Sequence, residues 1–441
     1  MRAIGLDVHK HFAEVAVLEP GQGIVSRERV PVTPVSLRRF ATALRPDDQV
    51  VLEASFNTWA VAELLSKHAG RVVVSNPMKT RAIASAKVKT DQVDAGILAQ
   101  LLAADFIPPV WVPDRATRQL RRMVSEHRGL VVQRGQWRNR IHAILNRNLV
   151  ECPCTDAFGR AGLRWLAQVR LPAAERREVD RLLRLHSLVE RELDGLEGEL
   201  AQARLRDGGL RHLVSVPGIG LITGVALLAV IGDVRRFTRP NRLVGYLGLD
   251  PRVRQSGDRP AYTGHISRQG QAHARGLLLE AAHSAIRGPG PLRAFYERVR
   301  SRRGAQIALV AVARKLAVLA WHLLTNDTDY QWVRPSLKAQ KWRHVELRAG
   351  LPKGVRRGIW TRTNRADEDA IPYRAEAAYR SLVATRRQQA DAAAPMRKRL
   401  EGQRPDARRR SHPHPPLFSR GSTASAASIV PHQGPQKGVT A

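Results

Sequence analysis

Apolar positions in residues 1–110 alternate or gather in short runs. "AIGLDV" sets Ile4, Leu6 and Val8 on one face and Asp7 on the other. "FAEVAVLE" repeats the period of two after a short turn. "QVVLEAS" follows the helical pattern "VSLRRFATALR", and "RVVVSN" follows the helical "TWAVAELLSKHA". Strands separated by helices predict an α/β domain. The stretch "KTDQVDAGILAQLL", residues 89–102, predicts the next helix, with Leu98, Leu101 and Leu102 as its apolar stripe. At about 100° per residue, Asp91 and Asp94 fall on that same stripe, one and two turns earlier. Carboxylates rarely turn toward a core unless paired, hydrogen-bonded or bound to metal. Either this helix has an unusual N-terminus, with Asp91 or Thr90 as its cap, or it delivers acids to a site.

The period then lengthens to seven. Met123, Leu130, Trp137 and Ile144 share one frame and Val124, Val131 and Leu145 another; after Pro153 and Pro172 come Val179, Leu193 and Leu200, and Leu182, Val189 and Leu196. This predicts a long helical hairpin with coiled-coil character. Its first arm is arginine-rich; Arg134 and Arg138 belong either to a solvated face or to a phosphate-contacting one. Residues 209–330 read as a second compact, mostly α-helical domain. There "VPGIGLITGVALLAVIGD" sets Gly218 and Gly220 between two apolar helical runs. Such a turn suits a helix-hairpin-helix, with backbone N–H groups near a phosphate, or a plain tight turn between packed helices. Beyond 331 the apolar pattern thins into a basic extension with 23 basic and 8 acidic residues, Pro/Ser/Arg-rich and expected to be disordered toward its end. The expected segments are therefore 1–112, 113–208, 209–330 and 331–441.

Charge narrows the function. The chain of 441 residues carries 73 Lys+Arg against 39 Asp+Glu, a formal net charge of +34. Such an excess calls for a polyanionic partner, and nucleic acid is the obvious one. No apolar run approaches the ~20 residues of a bilayer span, and "MRAIGLDVHK" enters a strand pattern without a signal-peptide core. Cys152 and Cys154, a lone C-x-C, form neither a zinc site nor a disulfide framework. A cytoplasmic protein without membrane partners is the expectation.

In so basic a chain the ordered acids stand out. Asp7 and Glu53 end strands, and Asp91 and Asp94 share a helix face. Four converging carboxylates repel strongly without cations. Two Mg²⁺ ions about 3.5–4 Å apart suit such an oxygen-rich site and serve phosphodiester chemistry. In the second domain, the loop 250–265 is polar and basic, with Arg252, Arg254 and Arg259 around Ser256. Arginines there could stabilise a pentacoordinate phosphate, yet composition alone makes Ser256 an ordinary turn serine.

"GLDVHK", "VLEAS" and "KTDQVDAGILAQLL" resemble the acidic motifs of the insertion-sequence-110 family of transposases, and "GLDPRVRQSG…GHISRQG" resembles that family's C-terminal motif. The resemblance implies an RNase H-like, RuvC-type N-terminal fold and carries the family's D-E-D-D quartet onto Asp7, Glu53, Asp91 and Asp94. It maps the catalytic serine onto Ser256, leaving Ser267 as a poorer candidate and a helix N-cap. Arg268, Gln271 and Ala274 depart from the family's lysine, asparagine and leucine. The implied activity is a DNA transposase and site-specific recombinase, with Mg²⁺ at the acids and a transient phosphoserine link to DNA. The family also implies guidance by a structured RNA and a homo-oligomer acting on double-stranded DNA. Two other classes stay open. A hydrolytic, junction-resolving nuclease would tolerate Ser256→Ala, and a non-enzymatic nucleic-acid binder would tolerate Asp7→Ala as well.

Overall fold

Alternation in the first 75 residues builds a five-stranded sheet from β1 (Ala3–Val8), β2 (Phe12–Glu19), β3 (Gly23–Pro31), β4 (Gln49–Glu53) and β5 (Arg71–Ser75), in the order β3-β2-β1-β4-β5. In this computed structural model the described residues are 1–84, 90–257, 260–353 and 362–402. β1–β2 and β2–β3 pair antiparallel across short turns; β1–β4 and β4–β5 pair parallel. The parallel pairs need crossovers, supplied by α1 (Pro34–Thr42) and α2 (Thr58–Leu65). Ile4, Leu6 and Val8 pack with Leu37, Val61 and Leu65 of these helices. After α3 (Pro77–Ile83), α4 (Asp91–Ala103) covers the opposite face, where Leu98 and Leu102 meet Ala3, Val51 and Val73. The sequence pattern did not reveal β3. It is an edge strand exposed along most of its length, so no apolar alternation marks it.

The sevenfold frames become α5 (Arg115–Arg147) and α7 (Ala173–Arg204), packed along each other, with α6 (Arg160–Gln168) between them. Ile144, Leu145, Val179, Leu182, Val189 and Leu196 are buried in their seam.

The next core is helical: α8 (Gly208–Val214), α9 (Leu221–Ile231), α10 (Pro240–Tyr246), then a hairpin of β6 (Pro251–Arg254) and β7 (Tyr262–Ile266), then α11 (Ala272–Ala285), α12 (Pro291–Arg303) and α13 (Ala305–Asn326). By length and composition α13 could cross a bilayer, against the expectation that no apolar run comes near that length. Its stripe of Val312, Leu316, Ala320 and Leu323 is instead buried in this core.

The basic extension is not featureless where described. In α14 (Pro335–Arg348), Trp342 and Val345 bury against Leu120, Leu196 and Leu200. Lys341 donates to the carbonyls of Val214, Val216 and Ile219 at 2.9, 2.7 and 3.1 Å. The chain divides into units Met1–Ala377 and Ala378–Ala441. α15 (Arg362–Gly402) begins in the first, and the described part of the second is its continuation. Arg259 and everything after 402, including the expected disordered tail, lie outside the described residues.

Candidate active site

The odd positions of β1 face α4, and Gly5 sets how near that helix comes. A Cβ on Gly5 would lie 2.1 Å from the Ala95 carbonyl oxygen and 2.6 Å from the Ala99 nitrogen. Without one, the helix backbone rests directly on the strand, so the first turn of α4 stands over the end of β1. Arg27 of β3 ties that turn down, donating to the Gln92 carbonyl at 2.6 Å. Thr90 is the N-cap, its Oγ1 accepting from the Val93 N–H at 3.3 Å. Capping therefore does not engage Asp91, which points its carboxylate at β1.

There Asp91 Oδ2 lies 3.2 Å from His9 Nε2, and the same nitrogen lies 3.1 Å from Asp7 Oδ2. The ligand atoms of Asp7, His9 and Asp91 all lie within 4.8 Å of one another, each residue partly buried. Burial pushes the Asp7 carboxyl above its ordinary range; His9 offsets part of this, and the charges of Asp91 and Asp94 add to it. Continuing the register that pairs Leu6 with Leu52 places Glu53, the last residue of β4, alongside Asp7.

His9 is a member of this cluster that the sequence reading missed, although it stands inside "GLDVHK". It stands in the turn just after β1, where its N–H donates to the Phe12 carbonyl at 2.9 Å and its ring sits between Asp7 and Asp91. Glu14 was missed as well. It is buried opposite Asp7 in the β1–β2 register, and Arg29 donates to it at 2.6 Å. That pair adds no net charge to the cluster. The remaining donor set, carboxylate oxygens with one imidazole nitrogen, is compatible with a divalent cation.

Ser256 stands on a different scaffold. It is exposed between β6 and β7, a two-stranded sheet of its own. The base of this hairpin is tightly built. A Cβ on Gly270 would meet the Tyr246 carbonyl at 2.2 Å, and both Gly248 and Gly270 have positive φ. Arg275 donates to the Leu247 carbonyl at 3.1 Å. Ser267 does not cap α11, whose N-cap is Gln271. Its hydroxyl instead donates to Asp250 at 2.7 Å, joining the two feet of the hairpin. Arg252 and Arg254 flank the serine on the exposed strand.

The other basic and glycine candidates make contacts within the fold. Arg134 and Arg138 bind Glu190 across the helical hairpin, Arg138 at 2.9 Å, and Arg138 also donates to His186 at 2.9 Å. Both remain partly exposed. Gly218 has φ +85°, and a Cβ there would lie 2.1 Å from the Ala281 carbonyl. Its place is a close turn against α11. Gly220 is the N-cap of α9.

Two transposase family models match the chain. One, of the DEDD type of insertion-sequence-110 elements, spans residues 4–149. The other, described as "Transposase IS116/IS110/IS902 family", spans residues 210–297. The chain belongs to the IS116/IS110/IS902 family of transposases. The first match holds the acidic cluster and the second holds the Ser256 hairpin. Among the relatives of this transposase-family chain, the "Probable family 20 transposase" of Pseudomonas aeruginosa is 28% identical over 349 residues, covering 74% of this chain and 98% of the relative. The transposase for insertion sequence element IS1328 of Yersinia enterocolitica is 25% identical over 338 residues, with the same coverages. The transposase for insertion sequence element IS1111A of Coxiella burnetii is 32% identical over 143 residues, 31% of this chain and 38% of the relative. Membership implies an enzyme that binds, cuts and rejoins DNA.

Proposed function

We propose that this transposase acts as a serine recombinase with a divalent-metal site, moving its own insertion element. The observation that carries the reading is the convergence of Asp7, Asp91 and Asp94, with Glu53 alongside, in a chain of net charge +34. A protein that only bound DNA would gain nothing from concentrating acids at its surface. The strand order β3-β2-β1-β4-β5 fits the RNase H-like, RuvC-type expectation for residues 1–112. The helical hairpin to 208, the serine domain to 330 and the basic extension follow in sequence, and α5, α7, α9 and α14 share one hydrophobic core.

Asp7, Glu53, Asp91 and Asp94 would hold Mg²⁺, with His9 as a further donor. Bound metal supplies Lewis-acid stabilisation of the phosphate and favours the ionised form of the attacking hydroxyl. Ser256 Oγ would attack the phosphorus, forming an O–P bond as the bond to a sugar oxygen breaks; that oxygen takes up the proton. The phosphodiester energy stays in the phosphoserine link, so a second strand's hydroxyl can reverse the step without ATP. Ser256 and the acids are rooted in different hydrophobic cores. We therefore assign their meeting to the assembled protein–DNA complex, an oligomer in which guidance comes from an element-encoded RNA, as the family resemblance implies.

The test is covalent trapping with element-end DNA, Mg²⁺ and the flanking RNA, read on a denaturing gel. Wild type should give protein-linked DNA, and Ser256→Ala and Asp91→Ala should each lose it while keeping the fold. Nicked DNA without any adduct, still produced by Ser256→Ala, would replace the serine mechanism with hydrolysis by the acids.

A further inference from the structure

Beside the acidic site the surface changes sign. The loop after β4 carries Phe56, 76% exposed. With Trp59 it faces Arg115, Arg118, Arg121 and Arg122 of α5 across an open groove of about 720 Å³. Glu63 also lines the groove, but Arg118 pairs with it at 2.5 Å. Arg121 is turned to the carbonyls of Ala229 and Val230 at 2.8 and 3.0 Å. Arg115 and Arg122 are exposed. The groove adjoins the acids, because Asn57 in its wall donates its side-chain amide to the His9 backbone carbonyl at 3.3 Å.

A lone exposed phenylalanine needs no explanation. One set beside two exposed arginines, Arg115 and Arg122, next to a site that handles phosphodiesters, has the make-up of a single-strand platform: cations along the backbone and an aromatic face for the base. A duplex keeps its base faces stacked on one another, so a ring in this position can stack only on an unpaired base. We infer that this groove holds a single-stranded DNA segment entering the acidic site, with an unpaired base on Phe56 and its phosphates facing Arg115 and Arg122. The inference rests on the acidic site acting on DNA strands. The strand being cut is the occupant that this position and this charge fit.

The test uses the full chain in EDTA, which removes the chemistry and isolates binding. Fluorescence anisotropy compares a labelled single-stranded oligodeoxynucleotide with its duplex, at about 0.3 M salt so that phosphate contacts elsewhere are weakened. Phe56→Ala should weaken single-strand binding about 5- to 150-fold, leave duplex binding within about twofold, and be rescued by Phe56→Tyr. Arg122→Ala should flatten the salt dependence of single-strand binding by about 0.7 in log–log slope. An unchanged single-strand affinity in Phe56→Ala, an equal loss on duplex, or tighter binding of the same sequence as single-stranded RNA or of an acidic peptide overturns the inference. A protein that forms the covalent adduct in Mg²⁺ yet shows no Phe56 effect in EDTA would refute the groove and leave the acidic site standing. A Phe56 effect in a protein without any strand chemistry would do the reverse.

Discussion

Replacing Gly5 by alanine adds one methyl group at the point where α4 lies on β1. The added Cβ would sit 2.1 Å from the Ala95 carbonyl oxygen, 2.6 Å from the Ala99 nitrogen and 3.1 Å from Leu98 Cβ. Ordinary contact begins near 3.4 Å, so the helix must rise by about 1.3 Å. The two nearest atoms are backbone and cannot swing aside, and the β4 and β2 neighbours hold β1 in place. Overpacking of this kind costs about 1–3 kcal/mol. The larger effect falls on chemistry. Asp91 and Asp94 ride on the displaced first turn, and a misplacement of about 1 Å costs roughly a hundredfold in rate. Two measurements check this: denaturant unfolding, and the rate of covalent-adduct formation in Mg²⁺ with element-end DNA. Gly129→Ala on α5 is the control, since a Cβ there meets nothing within 4 Å; it should stabilise by about 0.5–1 kcal/mol and leave the rate unchanged. If Gly5→Ala keeps both stability and rate, the claim that this glycine sets the acid geometry is wrong.

The acid cluster predicts that Mg²⁺ stabilises the protein. At a hundred times the dissociation constant the gain should be about 2.7 kcal/mol, read as a rise in melting temperature over EDTA, and Asp91→Asn should abolish the rise. Burial lowers the Lys341 pKa to about 8. The unfolded state, with an ordinary lysine pKa of about 10.5, then holds more protons between these values. The contribution of Lys341 to stability should therefore increase as pH rises from about 8 toward 10.5, and Lys341→Met should remove that slope. The same variant strips the donor from the carbonyls of Val214, Val216 and Ile219. It should lose about 1–3 kcal/mol at neutral pH, and an unchanged unfolding midpoint would count against this assignment.

Periodicity alone determined much of the site. The period of two in "AIGLDV" put Asp7 opposite Ile4, Leu6 and Val8, because a strand has only two faces. The helical period put Asp91 and Asp94 toward the sheet, and the sevenfold repeats became the packed seam of α5 and α7. These are local consequences of covalent geometry, so one sequence is enough to read them. What the sequence could not settle was distance and competition between partners. Thr90 rather than Asp91 caps α4 because the fold turns Asp91 toward His9, in the turn after β1 and far away in the chain. The sequence could not show that Arg134 and Arg138 pair with Glu190 of the return helix. Gly218 became a packing glycine only when α11 lay against it, and β3 was silent because an exposed edge strand leaves no apolar signature. The sequence thus determined which face each acid occupies. Only the tertiary structure decided which groups meet there, because that depends on how closely α4 can approach β1, and a glycine in the strand allows contact.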